Sequence, residues 1–305
     1  MIHHTWGPCL RVLLINPYGP LPDEGWREYR FVSIGRALAS RGHDVFWWTA
    51  SFAHHTKRQR VEAEREICSG FRVGLVRTPA YRDHIGLRRI WFELAFAWRL
   101  FRRIHASSAD LIIAADPPQT AGFVATLLAR RTGAVLILDV MDLWPEIFTT
   151  ALPKPLRGLG KILFSPFRWL RRRTLGRAEG VTAVSNTYRE LVLRENSPLT
   201  ASAVTTVFLG IDLQTFRDDR GATVGTRERS MPAKEAEEIW AIYAGMLGVA
   251  YDIETMVEAA RELERRRLPV TIVVLGQGPQ SRIVEKARSP RLKFVGSVPA
   301  QELPQ

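Results

Sequence analysis

The sequence is poor in cysteine and has no long uninterrupted hydrophobic run. Two cysteines, Cys9 and Cys68, in 305 residues cannot build a disulfide framework, which favours a reducing compartment. The first apolar run, residues 10–15, is too short for the hydrophobic part of a secretory signal. Arginine interrupts the longer runs before they reach the roughly 20 residues that span a bilayer. The sequence therefore predicts a chain that does not cross a membrane.

Positive charge is in excess. Forty-three Lys and Arg stand against 31 Asp and Glu, for a net charge of +12. Net charge acts on association, so nucleic acid, an anionic membrane or a phosphorylated substrate are candidate partners. A hydrophobic content of 46% with 10% aromatic residues is enough for a large core, which excludes a disordered protein.

Short runs rich in Val, Ile and Leu alternate with segments of helical period. This pattern is typical of parallel strands covered on both faces by helices. Strands are predicted at residues 11–16, 44–49, 72–77, 110–115, 135–140, 180–184 and 203–208. Helices are predicted at residues 26–41, 87–105, 120–131, 156–177 and 188–195.

The alternation of strand and helix patterns is interrupted at residues 218–238. Residues 218–238 are charged and small with no apolar period, which indicates a linker. Strands follow at 240–244, 269–275 and 292–295, with helices at 253–267 and 280–287. The sequence therefore predicts an α/β protein of two Rossmann-like, doubly wound parallel-sheet domains, residues 1–217 and 239–305, joined by that linker.

The first loop, residues 16–25, contains no G-x-G-x-x-G. This is where a nicotinamide or flavin fingerprint would stand, so an epimerase or reductase is disfavoured and no cofactor is predicted. His54 and His55, with the basic residues at 57, 58 and 60, offer either contacts to an acceptor phosphate or an exposed basic loop, and we favour the loop.

The strongest local motif, Leu138-Asp-Val-Met-Asp-Leu-Trp-Pro-Glu146, follows an apolar strand. A carboxylate at the carboxyl end of a parallel strand can accept a proton from an attacking hydroxyl. Alternatively Asp142 caps a turn, Asp139 pairs locally and Trp144 lies in the core. Without a third ligand, two carboxylates do not predict a metal site.

Several motifs in order resemble the GT-B glycosyltransferases of family 4, in particular the branch that builds O-antigen, capsule and exopolysaccharide chains. They are residues 31–45 (FVSIGRALASRGHDV), the Asp-Leu-Trp-Pro-Glu at 142–146, and residues 243–248, 274–279 and 294–303 of the second domain. The resemblance implies transfer of a sugar from a nucleotide-sugar donor held by the second domain to a lipid-linked or polysaccharide acceptor held by the first. It also implies that the E-x7-E motif would fall beyond residue 305, so that the chain is truncated and its second domain incomplete.

The resemblance assigns roles residue by residue. Asp142 falls at the catalytic acidic position, although Met141 stands where many relatives have histidine. The implied donor-binding residues are Gly245, Gly248, Gly276, Gly278, Ser297 and Val298. Those implied on the acceptor side of the cleft are Glu24, Gly25, Asp116 and Glu146. No metal and no cofactor beyond the donor are implied.

Two basic amphipathic stretches, residues 87–105 and 154–177, account for much of the charge. A helix with an aromatic face and an arginine-rich face suits an anionic bilayer, and the alternative is an ordinary helix whose apolar face is core. The predicted membrane contacts are Arg88, Arg89, Trp91, Trp98, Lys161, Trp169, Arg171, Arg172 and Arg173. No nucleic-acid pattern accompanies the charge, so nucleic acid is disfavoured as a partner.

These observations predict a cytoplasmic glycosyltransferase, peripheral on the inner face of the cell membrane. The competing hypothesis is a truncated, non-catalytic protein of the same fold that binds a membrane or a partner. Binding of nucleotide sugars distinguishes the two.

Overall fold

The computed structural model describes residues 9–24, 29–61, 65–67, 70–82, 86–104, 109–142, 144, 153–195, 199–210, 234, 237–248 and 251–298. The chain divides into two compact units, unit 1 (Met1–Ile211) and unit 2 (Asp212–Gln305). Most of the predicted linker at 218–238 lies outside the described residues.

Unit 1 is built on an eight-stranded sheet with the order β10-β9-β8-β7-β1-β2-β6-β5. All neighbours pair in parallel except β5, which runs antiparallel to β6 at one edge. A small antiparallel hairpin, β3–β4, follows β2. The strands are β1 (Arg11–Ile15), β2 (Asp44–Ala50), β3 (Phe52–Ala53), β4 (Arg58–Gln59), β5 (Arg65–Ile67), β6 (Phe71–Val76), β7 (Leu111–Asp116), β8 (Val135–Val140), β9 (Gly180–Ala183) and β10 (Val204–Thr206).

Helices cover both faces of this sheet. They are α1 (Arg30–Ala39), α2 (Leu87–Arg103), α3 (Gln119–Thr132), α4 (Arg157–Leu163), α5 (Ser165–Leu175) and α6 (Asn186–Glu195). Phe31 and Val32 of α1 pack with Val12 and Leu14 on one face. On the other face, side chains from α2, α3, α5 and α6 join one core cluster, and α3 packs against both α2 and α5. Helices α2, α3 and α5 therefore form one layer.

The alternation of strands and helices is as predicted, with three local differences. The helix predicted at 156–177 is two helices, because Pro166 in the first turn of α5 cannot donate a backbone hydrogen bond to the preceding turn. Helix α1 begins at Arg30, four residues later than predicted, after the extended Tyr29. Strands β3, β4 and β5 were not predicted, since two or three residues are too few to show a period.

Unit 2 has a three-stranded parallel sheet, with β12 between β11 and β13. Its elements are β11 (Ile239–Ala244), α7 (Ile253–Arg265), β12 (Val270–Leu275), α8 (Ser281–Lys286) and β13 (Leu292–Gly296). Ile253, Ala260 and Val284 of the helices pack on Ile272 and Val274 of the central strand. Glu238, at the end of the predicted linker, is buried and accepts hydrogen bonds from Trp240 and Thr271, so it is part of this unit.

Within the parts of the chain that the structure describes, no helix is both long and apolar enough to cross a membrane.

Candidate functional site

The carboxyl ends of β7 and β8 place Asp116 and Asp142 at the same edge of the sheet in unit 1. The Met141 backbone N–H donates to the Asp116 carbonyl oxygen over 2.8 Å, which joins the two strand ends. Asp142 follows in a half-buried bend. In a parallel sheet these ends share one edge, where ligands bind in open α/β folds. Asp142 therefore lies at the strand end indicated by the sequence, and its catalytic role stays a prediction.

Tyr29 lies near the same strand end, beside Met141, and the sequence alone did not indicate it. Burial raises the pKa of Tyr29, and the neighbouring carboxylates of Asp139 and Asp142 raise it further. Its hydroxyl is 4.0 Å from the Met141 sulfur. The Tyr29 hydroxyl is therefore a second polar group near this strand end, and its raised pKa keeps it neutral.

Asp139 has a different role. It is fully buried, and its two oxygens accept from the Arg30 guanidinium over 2.7 and 2.8 Å. Thr182 donates to it over 2.6 Å. The alternative prediction that Asp139 forms a pair is therefore confirmed. The partner, however, is not local in sequence, because Arg30 belongs to α1. The Asp139 carboxylate links β8 to α1 through Arg30, so it is not available to accept a proton from a substrate.

Asp116 and Arg171 form a buried pair beneath the same edge. The Arg171 Nε lies 3.3 Å from an Asp116 oxygen, and both side chains are almost completely buried. The assignment of Arg171 to a membrane surface is therefore wrong, because its side chain points into unit 1. Asp116, assigned to the acceptor side, uses its charge to neutralise this arginine.

Trp144 connects these groups. Its carbonyl oxygen accepts from Arg171 over 3.0 Å and from Gln119 over 2.8 Å. Its ring is buried, as the core alternative predicted, and packs edge-on against Phe167. The Arg89 guanidinium lies 4.7 Å from the ring centroid. Trp144, two residues after Asp142, is therefore held through both its carbonyl oxygen and its ring.

Arg89 belongs to a buried polar cluster. Its Nε donates to the Tyr18 hydroxyl over 3.1 Å and to Glu93 over 3.3 Å, and Tyr18 donates to Glu93 over 2.5 Å. Burial raises the pKa of Glu93 and also that of Tyr18. The assignment of Arg89 to a membrane surface is wrong, because only 12% of its side chain is exposed.

The basic segment after β2 is a hairpin and not an exposed loop. His54 hydrogen-bonds the Tyr81 hydroxyl, and its ring packs 5.1 Å from that of Tyr18. The Lys57 ammonium lies 4.5 Å from the centroid of the Tyr81 ring. Burial raises the pKa of Tyr81. The interpretation of these residues as an exposed loop is therefore wrong for His54, Lys57 and Arg60, which are half-buried, whereas His55 and Arg58 are exposed.

Glu24 is a structural ion-pair partner. Its two carboxylate oxygens accept from Arg60, each over 2.7 Å, and it also accepts from the Leu21 N–H. Gly25 and Glu146, the other two residues assigned to the acceptor side, lie outside the described residues.

In unit 2 the predicted donor-binding residues follow the three parallel strands. Gly245 follows β11, Gly276 follows β12 and Ser297 follows β13, so the structure brings the three positions to one edge of the sheet. The Gly276 N–H donates to the Gly296 oxygen over 2.7 Å, and the Gly245 N–H donates to the Leu275 oxygen over 2.9 Å. Ser297 is exposed and Val298 is half-buried.

The glycines have a packing role that the sequence did not reveal. Gly276 has φ of +149°, and a Cβ there would lie 1.8 Å from the Gly245 oxygen. A Cβ at Gly278 would lie 2.3 Å from the Leu247 oxygen, and the Gly278 N–H donates to Ser281. Gly248 is buried beside Tyr251. The loop after β12 therefore needs glycine at 276 and 278, because the loop after β11 approaches it too closely for a Cβ. This requirement does not depend on any ligand.

The remaining predicted membrane residues lie on the outside of unit 1. Arg88, Lys161, Arg172 and Arg173 are exposed. Large apolar side chains at helical spacing accompany them, although such residues usually face the core. Those that are about half exposed or more are Leu87, Trp91, Leu94 and Trp98 of α2, and Leu159, Ile162, Leu163 and Trp169 of α4 and α5. Helices α2 and α5, which carry the tryptophans of these sets, both pack against α3.

No group of three or more His, Cys, Asp or Glu side chains among the described residues is arranged to hold a metal ion.

Comparisons with known proteins agree on the family and on the fold. A protein-family model described as "Glycosyl transferase 4-like domain" matches residues 28–207, which is more than half of the chain. None of the curated proteins compared by sequence matches.

Solved structures of low identity share the architecture. Sucrose-phosphate synthase from Thermosynechococcus elongatus is 20% identical with a TM-score of 0.65, over 97% of this chain and 72% of that one. HepE of Anabaena, solved in complex with UDP, is 13% identical with a TM-score of 0.58, over 97% and 71%. WaaG, a glycosyltransferase involved in lipopolysaccharide biosynthesis, is 14% identical with a TM-score of 0.54, over 96% and 72%. At these identities the likeness shows the fold, and it confirms the predicted GT-B architecture of two α/β units.

Proposed function

The chain belongs to the glycosyl transferase 4-like family and is a glycosyltransferase. We propose that it moves a sugar from a nucleotide-sugar donor to a lipid-linked or polysaccharide acceptor of the cell envelope. The observation that carries the proposal is the half-buried Asp142 just after the carboxyl end of β8, with the Tyr29 hydroxyl 4.0 Å from the sulfur of the preceding Met141. An acid in this position can accept the proton of an attacking hydroxyl.

In the proposed reaction the acceptor oxygen forms a bond to the anomeric carbon of the donor sugar. The bond from that carbon to the diphosphate oxygen breaks, and the nucleoside diphosphate leaves with the electron pair. The acceptor proton passes to the Asp142 carboxylate. Tyr29 orients the hydroxyl, and Trp144, held by Arg171 and Gln119, keeps the acidic segment in place. Positioning of this kind lowers the barrier because the reacting groups are already aligned.

We assign the donor to unit 2. The HepE structures solved with UDP and with UDP-glucose support a nucleotide sugar as donor. The strand ends at Gly245, Gly248, Gly276 and Gly278 are assigned to the diphosphate, and Ser297 and Val298 to the nucleobase. Since several of these amides already donate to protein oxygens, we expect the glycines to shape the donor site more than to supply hydrogen bonds. No further cofactor is proposed.

We also propose that the enzyme works on the inner face of the cell membrane. The outer faces of α2 and of α4–α5 combine exposed tryptophan with arginine and lysine. Such faces bind anionic bilayers through both apolar burial and charge. The WaaG similarity is consistent with an acceptor of the cell envelope.

The test is Asp142→Asn. We expect turnover with a nucleotide sugar and a membrane-extract acceptor to fall by about 100-fold or more, since a general base contributes about that much. Binding of the donor, measured by calorimetry with UDP and GDP sugars, is expected to stay unchanged. Glu258→Gln, an exposed change on α7, is the control and keeps full turnover.

Unchanged turnover of the Asp142→Asn variant would refute the assignment of the base. Absence of binding for every nucleotide sugar tested would instead favour the alternative of a non-catalytic protein of this fold.

A further inference from the structure

Arg30, the first residue of α1, holds three segments of unit 1 together. Its Nε and one terminal nitrogen donate to the two oxygens of Asp139, near the end of β8, over 2.7 and 2.8 Å. The other terminal nitrogen donates to the carbonyl oxygens of Val207 and Phe208, just after β10, over 2.8 and 3.3 Å. Only 7% of the Arg30 side chain is exposed, and none of the Asp139 side chain. One guanidinium therefore links the start of α1, the end of β8 and the segment that follows β10.

This ion pair lies among apolar side chains. Ile137 and Met141, two residues to either side of Asp139, pack on the apolar cluster that includes Phe31 of α1. Thr182, opposite Asp139 on β9, is a further donor to the carboxylate, over 2.6 Å. Apolar side chains of similar volume in place of a buried ion pair often give equal or greater stability. Stability alone therefore does not account for the pair, whose directional hydrogen bonds fix one geometry.

Tyr29 immediately precedes Arg30 and reaches the strand end that carries Asp142. Its backbone is extended, and its carbonyl oxygen accepts from the Val32 N–H over 2.8 Å, which fixes it at the start of α1. Its hydroxyl lies 4.0 Å from the sulfur of Met141, the residue before Asp142. The start of α1 and the end of β8 are therefore in contact at two neighbouring points, the ion pair and the Tyr29 hydroxyl. Because these points are on consecutive residues of α1 and its cap, we expect a change in the ion pair to displace the hydroxyl.

We propose that Arg30 is a positioning residue of the transfer reaction, which holds the Tyr29 hydroxyl at the strand end that carries Asp142. Arg30 does not itself meet the substrate, because its side chain is buried and all three guanidinium nitrogens donate to protein oxygens. It acts through Tyr29, so it contributes to the alignment of the acceptor hydroxyl. The inference rests on the proposed function and deepens it, since it names the residue that sets the geometry of the site.

The experiment measures kcat and the KM for the donor, with the membrane-extract acceptor and a UDP or GDP sugar that binds in calorimetry. The variants are Arg30→Lys, Tyr29→Phe and the two combined, and lysine keeps the charge but loses the forked geometry. We expect each single variant to lower kcat about tenfold, because a small misplacement near the reacting groups is enough for such a loss. The donor KM is expected to change by less than about twofold, since only alignment is lost and the donor is assigned to unit 2.

The combined variant shows whether Arg30 acts through Tyr29. We expect it to be no slower than the slower single variant, because both changes remove the same placed hydroxyl and their effects then do not add. A purely structural ion pair would lower the unfolding midpoint in urea without this dependence on Tyr29. Turnover is therefore compared under conditions in which each variant is folded.

The matched control is Arg11→Lys. Arg11 also donates to both oxygens of one aspartate, Asp110, but at the opposite, amino edge of the same sheet. We expect this variant to keep the wild-type kcat. A milder second variant, Thr182→Val, removes one hydrogen bond to Asp139 and keeps the branched shape, and we expect it to lower kcat about threefold.

Wild-type kcat in Arg30→Lys would overturn the inference, and so would an equal loss of kcat in Arg11→Lys. Losses that multiply in the combined variant would overturn the route through Tyr29, because they would show two independent effects. If Arg30→Lys does not fold, wild-type kcat in Thr182→Val overturns the inference instead. The proposed function fails on different measurements, namely unchanged turnover of Asp142→Asn or absence of binding for every nucleotide sugar.

Discussion

Three consecutive arginines on α5 show how burial decides the role of a residue. Arg172 and Arg173 are exposed, whereas Arg171 is fully buried against Asp116 and the Trp144 carbonyl oxygen. The cost of moving a guanidinium out of water is offset only by such a partner and its hydrogen bonds. The charge of Arg171 therefore stabilises the interior of unit 1, and it contributes nothing to an outer surface.

We predict that Arg171→Ala lowers the free energy of unfolding by about 3–5 kcal/mol, because it leaves the Asp116 carboxylate buried without a counter-charge. Urea denaturation of the full chain measures the change. Arg172→Ala on the same helix is the control and is expected to change stability by less than about 0.5 kcal/mol. A similar, small change for both variants would show that the buried pair does not stabilise unit 1.

For single residues, the sequence predicted the position in an element better than the side chain's partner in the folded protein. Asp142 could be placed because a strand and the residue after it are visible in the local pattern. The Arg30 partner of Asp139 lies 109 residues away and depends on which helix covers which strand. The glycines at 276 and 278 were correctly located, but their reason, the close approach of a neighbouring loop, depends on tertiary structure.

At the scale of elements, most long helical patterns were predicted well, whereas the helix predicted at 156–177 is two helices. Helices α2, α3 and α7 lie where the hydrophobic period indicates them, whereas strands of two or three residues leave no period to detect. The period of α2 alone did not distinguish its two faces, since both carry aromatic side chains. Phe92 and Phe96 lie in the core, while Trp91 and Trp98 face outward.

Helix α7 carries a prediction about pH. Glu262 accepts hydrogen bonds from Arg265 and Arg266, which hold its pKa at about 2, below its usual value. Because the folded-state pKa is depressed, the stabilisation is present above the unfolded pKa and is lost as the pH falls through the folded pKa. We expect Glu262→Gln to be slightly less stable than the wild type at neutral pH.

This difference is expected to disappear as the pH falls from about 5 toward 2, because the wild-type carboxylate then becomes protonated. Thermal unfolding across this range measures it, with Glu258→Gln on the same helix as the control. A difference between Glu262→Gln and wild type that does not change with pH would contradict the assignment.

The whole molecule combines two α/β units with a net charge of +12. The order of strands and helices along the chain predicted this architecture, because each strand-helix repeat places the next strand in parallel. The pairing of the charges could not be predicted in the same way. Arg30, Arg60 and Arg171 are neutralised by carboxylates inside unit 1, so the net charge alone does not tell which cations face outward.

We predict that affinity for anionic vesicles decreases with salt and does not vanish. Raising the ionic strength from about 0.1 to about 1 M shortens the screening length from about 10 to about 3 Å, which weakens exposed charge pairs. The apolar contribution of the exposed tryptophans is not screened. Co-sedimentation over this range, with neutral vesicles as the control, measures both parts. An affinity for anionic vesicles that does not depend on salt would contradict an electrostatic contribution.

Helices α2 and α5 each carry different side chains on their two faces, and this determines which variants are informative. Their inner faces hold Trp144 through Arg89 and Arg171, next to Asp142, and their outer faces carry the exposed tryptophans. A substitution on an inner face disturbs the segment that carries the acid, and it also disturbs the helix that presents the exposed tryptophans. Under the proposed membrane attachment, only substitutions on the outer faces separate attachment from catalysis, so a genetic screen for uncoupled mutants should find them there.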